Sequence, residues 1–418
     1  MKAYDVTIAP SGISGRVTAP PSKSIAHRTL ISAALAEGES LVVGTAPSQD
    51  ILATVDALRA IGADIEELHA DCLKITGVGG RPRSLAPLGC RESGSTLRFM
   101  IPICLLSPDE FRLTGSEKLL SRPLGIYSDL FSDRYLGVRD GALTLAAGEP
   151  VLSGEYRVAG NVSSQFITGL LFALPLCEGD SRIVVEGDFE SSSYVDLTVD
   201  TLSKFGVSIT REGNTFYIEG SQKYLPTDIR IESDASNAAF FEALNLIGGN
   251  VEVLGLNPHS LQGDMVFKKH FAALKANSTD PIDLSDCPDL APILFSAAAL
   301  CGGGVFTHTD RLRLKESDRI ESMKAELEKF GASLEVTDGL DGGTVRIAAT
   351  SLHSPDSPLC SHNDHRIAMS MAILACRFGG EIKGAEAVAK SMPDFFEKLA
   401  ALGADITITK KNEAYQRH

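Results

Sequence analysis

SKSIAHRTLISAALAEGESLVV, residues 22–43, reads as a small polar cluster, an apolar helix rich in Ala and Leu, a Gly turn and a β-branched strand. Five later segments repeat that order: SGSTLRFMIPICLL from Ser93, SSQFITGLLFALPLCEGDSRIVV from Ser163, SDASNAAFFEALNLIGGNVEV from Ser233, DLAPILFSAAALCGGGVF from Asp289 and NDHRIAMSMAILACRFGGEI from Asn363. They start about 55 to 75 residues apart, and a recurrence at fixed spacing marks a repeat architecture.

Between them lies a second pattern, an amphipathic helix ending in Gly-Ala or Gly-Val before a strand: TVDALRAIGADIEEL, LTVDTLSKFGVSITR, SMKAELEKFGASLEV and FFEKLAALGADITI. The copies near Tyr127 and Phe267 are degraded. Gly213–Thr215 and the Gly-rich stretch 339–344 then read as hairpin turns. Six such units make a pseudo-symmetric α/β protein with two lobes of three units, residues 21–226 and residues 227–418 with 1–20 still to be placed. The first strand, YDVTIAP, can pair with either lobe, and the final KKNEAYQRH reads as a frayed polar end.

Composition narrows the function. Of 418 residues 44% are hydrophobic and 22% charged, enough apolar surface for a substantial core, so disorder is excluded for most of the length. No apolar run reaches the roughly 18 residues that span a bilayer, and the start lacks a signal-peptide pattern, so a cytoplasmic protein is expected with no membrane partner. A net charge of −15 opposes binding to a phosphate backbone, so no nucleic-acid partner is expected. The eight cysteines form no CxxC pair and read as reduced core thiols. His362 and His365 have no third ligand spaced nearby, so no metal is expected.

The helix starts carry the chemistry. Unpaired N–H groups and the positive end of the dipole attract anions there. PPSKSIAHR sets Ser24 and Arg28 on one helix face with Lys23 at the entry, SGSTLR offers Gly94 to a close ligand, and NVSSQF offers Ser163, Ser164 and Gln165. NDHR adds His365 and Arg366, and LKESDRIES adds Lys315, Glu316 and Arg319 beside a capping box of Asp318 and Glu321. Each cluster alone reads as an ordinary cap. Lys23, Arg319 and Arg366, however, stand at helix starts against the dipole, and an anionic ligand would compensate both charges.

Seven motifs in order, PSKSIAHR, ESGSTLRF, NVSSQF, PDLAP, KESDRI, NDHR and AKSMPDFF, resemble the 5-enolpyruvylshikimate-3-phosphate synthase family over about residues 10–408. The resemblance implies a two-lobed inside-out α/β barrel of six βαβαββ repeats, three per lobe, with residues 1–20 joining 227–418. It implies transfer of the enolpyruvyl group of phosphoenolpyruvate to the 5-hydroxyl of shikimate 3-phosphate, in aromatic amino acid biosynthesis, with no cofactor; a monomer is expected, though the sequence does not fix the oligomeric state.

By the same resemblance Lys23, Ser24, Arg28, Ser163, Ser164, Gln165, Ser191, Tyr194, Asp289 and Lys315 would hold shikimate 3-phosphate. Lys23, Gly94, Arg122, Gln165, Arg319, His365, Arg366 and Lys390 would hold phosphoenolpyruvate. Asp289 would be the base toward the 5-hydroxyl, and Glu316, helped by Lys23, the proton shuttle to the methylene; read alone, Asp289 and Glu316 would be helix caps. The sister enzyme acting on UDP-N-acetylglucosamine differs at the N-terminal motif, where this chain has Pro-Ser-Lys-Ser, and in its loop cysteine, absent here between Leu105 and Arg122. A noncatalytic anion- or RNA-end-binding module is disfavoured by the acidic charge and by Asp289 and Glu316, which would weaken phosphate binding.

Overall fold

Five of the six expected apolar helices begin with a side chain that caps them. Ser22, Ser93, Ser163, Asp234 and Asp364 each accept a backbone N–H from the first turn of the helices Lys23–Leu35, Gly94–Cys104, Ser164–Ala173, Ala235–Ala243 and His365–Phe378. The sixth, Ala291–Cys301, has no side-chain cap and is entered through a 3-10 turn at Pro288–Leu290. The helices are apolar nearly all round, and burial follows: every residue from Ile25 to Leu35 and from His365 to Cys376 is buried.

The computed structural model describes residues 3–411 apart from 152, 338, 340, 341, 349 and 350, so the turn expected at 339–344 lies partly, and the tail from 412 wholly, outside the described residues. The chain divides into two compact units, Pro21–Glu232, and Met1–Pro20 with Ser233–His418. The boundary expected after 226 thus moves to Glu232. The cause is the two-residue strand Ile229–Arg230, which pairs parallel with Glu39–Val43 and keeps the segment in the first of these units.

In the unit Pro21–Glu232 three four-stranded sheets share one plan: a parallel edge pair, then a strand antiparallel to the second, then its hairpin partner. Their orders are Ile229–Arg230, Glu39–Val43, Cys72–Thr76, Asp64–His69; then Leu88–Gly89, Phe111–Thr114, Ala142–Leu145, Leu136–Arg139; then Glu155–Ala159, Ser181–Glu186, Thr215–Ile218, Ile209–Glu212. The expected Gly-Asn hairpin closes Glu212 on Thr215, with Gly213 at φ +59. The degraded repeat keeps a six-residue helix, Gly125–Leu130, whose buried Tyr127 hydroxyl lies 2.9 Å from the Arg98 carbonyl. Gly169 makes room for it, since a Cβ there would sit 2.2 Å from that hydroxyl.

The other unit repeats the plan in the sheet Ile282–Asp283, Gly303–Thr307, Thr344–Ala348, Ser333–Thr337. It repeats again in Leu359–Cys360, Gly380–Lys383, Tyr4–Ala9, Asp405–Lys410, where the third strand comes from the N-terminal segment. The remaining repeat is incomplete: Asn250–Leu254 pairs parallel with Ser14–Thr18, and no hairpin joins them among the described residues. Only 276–281 separate the helix Phe267–Lys275 from the next strand, too short for two strands and a turn. The α/β expectation therefore holds, and among the described residues there are five full repeats and one truncated, with the strands in six separate sheets and no closed barrel. Each unit has its own apolar core. All eight cysteines are free.

Candidate active site

Within Ser233–His418 the centre of the site is Arg319, at the first turn of the helix Arg319–Glu328 and 1% exposed. Its three guanidinium nitrogens each meet a different carboxylate: Nε donates to Asp364 at 2.9 Å, one terminal nitrogen to Asp289 at 2.9 Å, and the other to Glu316 at 2.7 Å. Burial pulls the Arg319 guanidinium toward neutrality, but Asp364, Glu316 and Asp289 outweigh it and raise its pKa above the ordinary value, so it stays charged.

Asp289 is the second node. Its Oδ1 also lies 3.5 Å from Lys315 Nζ, and its Oδ2 accepts from Arg366 at 2.9 Å. Burial pushes its carboxyl up, and Arg366, Lys315 and Arg319 together push it further down, so it is held well below the usual carboxylate range. Lys315 is lowered, mainly by burial, with Asp289 working against the shift. The capping reading of Asp289 and Glu316 is thereby replaced: the Pro288–Leu290 turn has no side-chain cap, and both carboxylates go to cations. Asp318 is the cap, accepting from Ile320 and Glu321 N–H at 3.1 Å, while Glu321 faces Arg313 and not its own helix start.

Arg366 is 4% exposed and also donates to Ser236 Oγ. Lys390, at the end of a 3-10 turn, donates to the Asn363 carbonyl at 2.5 Å. His365 is 1% exposed, with Nδ1 3.8 Å from Asp364 Oδ1, so it is packed into the unit beneath the helix start and presents little surface.

Within Pro21–Glu232 the cations are held differently. Arg28 is 3% exposed and ties two helices together, donating to the Ser24 carbonyl at 2.6 Å, the Tyr194 carbonyl at 2.8 Å and Thr198 Oγ1 at 2.8 Å. Burial lowers its pKa to about 10. Ser24 and Tyr194 thus meet at Arg28 through their backbone carbonyls. Lys23 Nζ pairs with Asp50 at 2.8 Å, in the first turn of the helix Gln49–Ala60.

Gly94 opens the helix Gly94–Cys104, and a Cβ placed on it would sit 2.7 Å from the Arg122 guanidinium and 3.7 Å from Gln165 Oε1. These three residues therefore share one spot, and the absence of a side chain at Gly94 is what lets the guanidinium approach. Gln165 is locked at both ends, accepting from Arg98 at 2.6 Å and donating to Ser95 Oγ at 3.0 Å. Ser163 caps the Gln165 helix, Ser164 lies in its first turn, and Ser191 stands at φ +56, a left-handed residue at a helix entrance.

Arg98, Asp364, Asp50, Ser236 and Thr198 belong to these clusters and were not foreseen as site residues. Arg98 left a signal, a cation inside an otherwise apolar helix. Asp364 is an ordinary cap in sequence terms, and Asp50 and Ser236 leave no trace that sequence reasoning could use. Among the described residues no group of three or more His, Cys, Asp or Glu is arranged to hold a metal.

Buried arginines, carboxylates shared among them and small caps at helix starts define a class: enzymes that handle small polyanions. Comparison with known proteins gives the particular family. The family model for EPSP synthase (3-phosphoshikimate 1-carboxyvinyltransferase) matches residues 8–399. A 3-phosphoshikimate 1-carboxyvinyltransferase of Clostridium novyi is 39% identical, covering 96% of this chain and 98% of that protein, and one of Clostridium kluyveri is 39% identical over the same shares. The solved EPSP synthase of Acinetobacter baumannii superposes with a TM-score of 0.77 at 26% identity, covering 97% of this chain and all of that one. The chain belongs to the EPSP synthase family of transferases. No described helix is long and apolar enough to cross a membrane.

Proposed function

We propose that this chain transfers the enolpyruvyl group of phosphoenolpyruvate to the 5-hydroxyl of shikimate 3-phosphate, releasing phosphate, as a cytoplasmic monomer of aromatic amino acid biosynthesis. The observation that carries the reading is Asp289 and Glu316 on one guanidinium, with Lys315 and Arg366 on the same Asp289. In the addition step the hydroxyl oxygen bonds to C2 of phosphoenolpyruvate, its proton passes to Asp289, and Glu316 delivers a proton to the methylene carbon. In the elimination step the bond from C2 to the phosphate oxygen breaks, the departing phosphate takes the proton held by Asp289, and a methyl proton returns to Glu316, restoring the double bond.

Arg319, Arg366 and Lys390 hold phosphoenolpyruvate, with His365 behind them. Ser24, Arg28, Ser163, Ser164, Gln165, Ser191 and Tyr194 hold shikimate 3-phosphate. The roles of Lys315 at the shikimate phosphate, and of Lys23, Gly94 and Arg122 at phosphoenolpyruvate, belong to the same proposal. An incoming carboxylate and phosphate compete with Asp289 for the donors of Arg319 and Arg366. Each donor withdrawn raises the proton affinity of Asp289, so ligand binding itself converts a weak base into a usable one.

The test is phosphate release from phosphoenolpyruvate with either shikimate 3-phosphate or UDP-N-acetylglucosamine as acceptor. Release is expected with the first alone; release with the second alone overturns the assignment.

A further inference from the structure

The mechanism makes no use of a buried carboxylate two turns along the helix that starts at Arg319. Glu326 lies seven residues on, on the same face, and is 1% exposed. Its Oε2 accepts the Cys360 N–H at 2.9 Å, its Oε1 lies 2.8 Å from His362 Nε2, and Lys329 Nζ sits 3.0 and 2.9 Å from the two oxygens. Burying a carboxylate costs several kcal/mol unless donors surround it, and a buried ion pair is weak evidence for a stabilising role. The placement of this one needs another account.

What it grips is a strained turn. His362 and Asn363 stand at φ +51 and φ +55, two successive non-glycine residues in the left-handed region, each costing on the order of 1–2 kcal/mol. Glu326 holds the turn at two points, the N–H of Cys360 at its start and the imidazole of His362 within it. The turn in turn delivers three cations. The Asn363 carbonyl receives Lys390, Asp364 receives Arg319, and Asp364 also caps the helix whose first turn carries Arg366. The helix Arg319–Glu328 therefore fixes this segment at two points, Arg319 on Asp364 and Glu326 on Cys360 and His362.

We infer that Glu326 and His362 are positioning residues for phosphoenolpyruvate: their contact holds the left-handed turn at 360–363 in the form that aims Arg319, Arg366 and Lys390. The inference rests on the function proposed above.

The experiment compares Glu326→Ala, Glu326→Gln and His362→Asn in phosphate release at saturating shikimate 3-phosphate, alongside amide hydrogen exchange of residues 360–366 and thermal unfolding. Asn tolerates the left-handed conformation but cannot reach Glu326, so it removes the contact alone. The KM for phosphoenolpyruvate is expected to rise about tenfold or more in Glu326→Ala, less in Glu326→Gln, with kcat and the KM for shikimate 3-phosphate within about threefold of wild type. The 360–366 amides are expected to exchange about tenfold faster. A lower melting temperature with an unchanged KM for phosphoenolpyruvate overturns the inference, as does a raised KM with unchanged exchange. Should Glu326→Ala not fold, the other two variants decide by the same readouts. Wild-type protein inert toward shikimate 3-phosphate would sink the functional reading instead, and the exchange of the 360–366 amides still decides whether Glu326 holds the turn.

Discussion

Two pairs of buried arginines, one pair in each unit, are held by opposite means. In Pro21–Glu232, Arg28 rests on two backbone carbonyls and a threonine hydroxyl, and Arg98 on the Gln165 amide, all uncharged acceptors. In Ser233–His418, Arg319 rests on three carboxylates and Arg366 shares one of them. Dipoles solvate a guanidinium without cancelling its charge, so the first arrangement stays cationic and suits the binding of a dianion. Carboxylates cancel the charge, so the second is close to neutral; its acids can exchange protons, and an anion must compete with them for donors. The same pattern of capped helix starts thus carries arginines on uncharged acceptors in one unit and arginines on shared carboxylates in the other.

The sharpest way to break this contrast is Arg319→Met, which strands three carboxylates together. Stability is expected to fall by about 3–5 kcal/mol, read by urea unfolding, and kcat/KM by on the order of 10³. An active, stable variant would show the carboxylates indifferent to their cation. Next, Asp289→Ala is expected to keep phosphoenolpyruvate binding and to lose turnover by on the order of 10². Normal turnover would remove Asp289 from the base role.

A smaller effect sharpens the other side. Arg28→Lys keeps the charge but cannot span Ser24, Tyr194 and Thr198 with one planar fork. A loss of about 1–3 kcal/mol is expected in thermal unfolding; an unchanged melting temperature would mean that charge alone matters there. The weakest effect is on acid stability. Asp289 and Glu326 have lowered pKa values in the fold, Asp289 against burial through Arg366, Lys315 and Arg319, and Glu326 against burial through His362 and Lys329. Their contribution is full above the ordinary carboxylate pKa of about 4 and is lost as pH falls below it toward the folded values. Asp289→Asn and Glu326→Gln should flatten the fall in melting temperature between about pH 5 and 2; an unaltered slope would contradict the lowered values.

The repeat was legible because its carrier is chemical: a cap, an apolar face and a glycine stop leave a pattern that survives divergence, and five of the six caps are in place. The truncated repeat was half legible. Phe267–Lys275 read as degraded, but a missing hairpin leaves no residues to notice. The unit boundary slipped because Ile229–Arg230 is a strand of two residues, too brief for any periodicity. At the site, residue types that oppose the helix dipole pointed to Lys23, Arg319 and Arg366. Which acid met which base was beyond reach, because Arg319 gathers Asp289, Glu316 and Asp364 from positions up to 45 residues away. His365 is 1% exposed beside a motif arginine, a burial that no spacing rule reveals.

The strand Tyr4–Ala9 lies between Gly380–Lys383 and Asp405–Lys410 in its sheet. During synthesis it emerges before the unit Pro21–Glu232, whereas both of its hydrogen-bonding neighbours emerge after that unit. The unit Pro21–Glu232 is one uninterrupted stretch and can finish folding on the ribosome, whereas the strand Tyr4–Ala9 must wait, unpaired and adhesive, until Gly380–Lys383 and Asp405–Lys410 have been made.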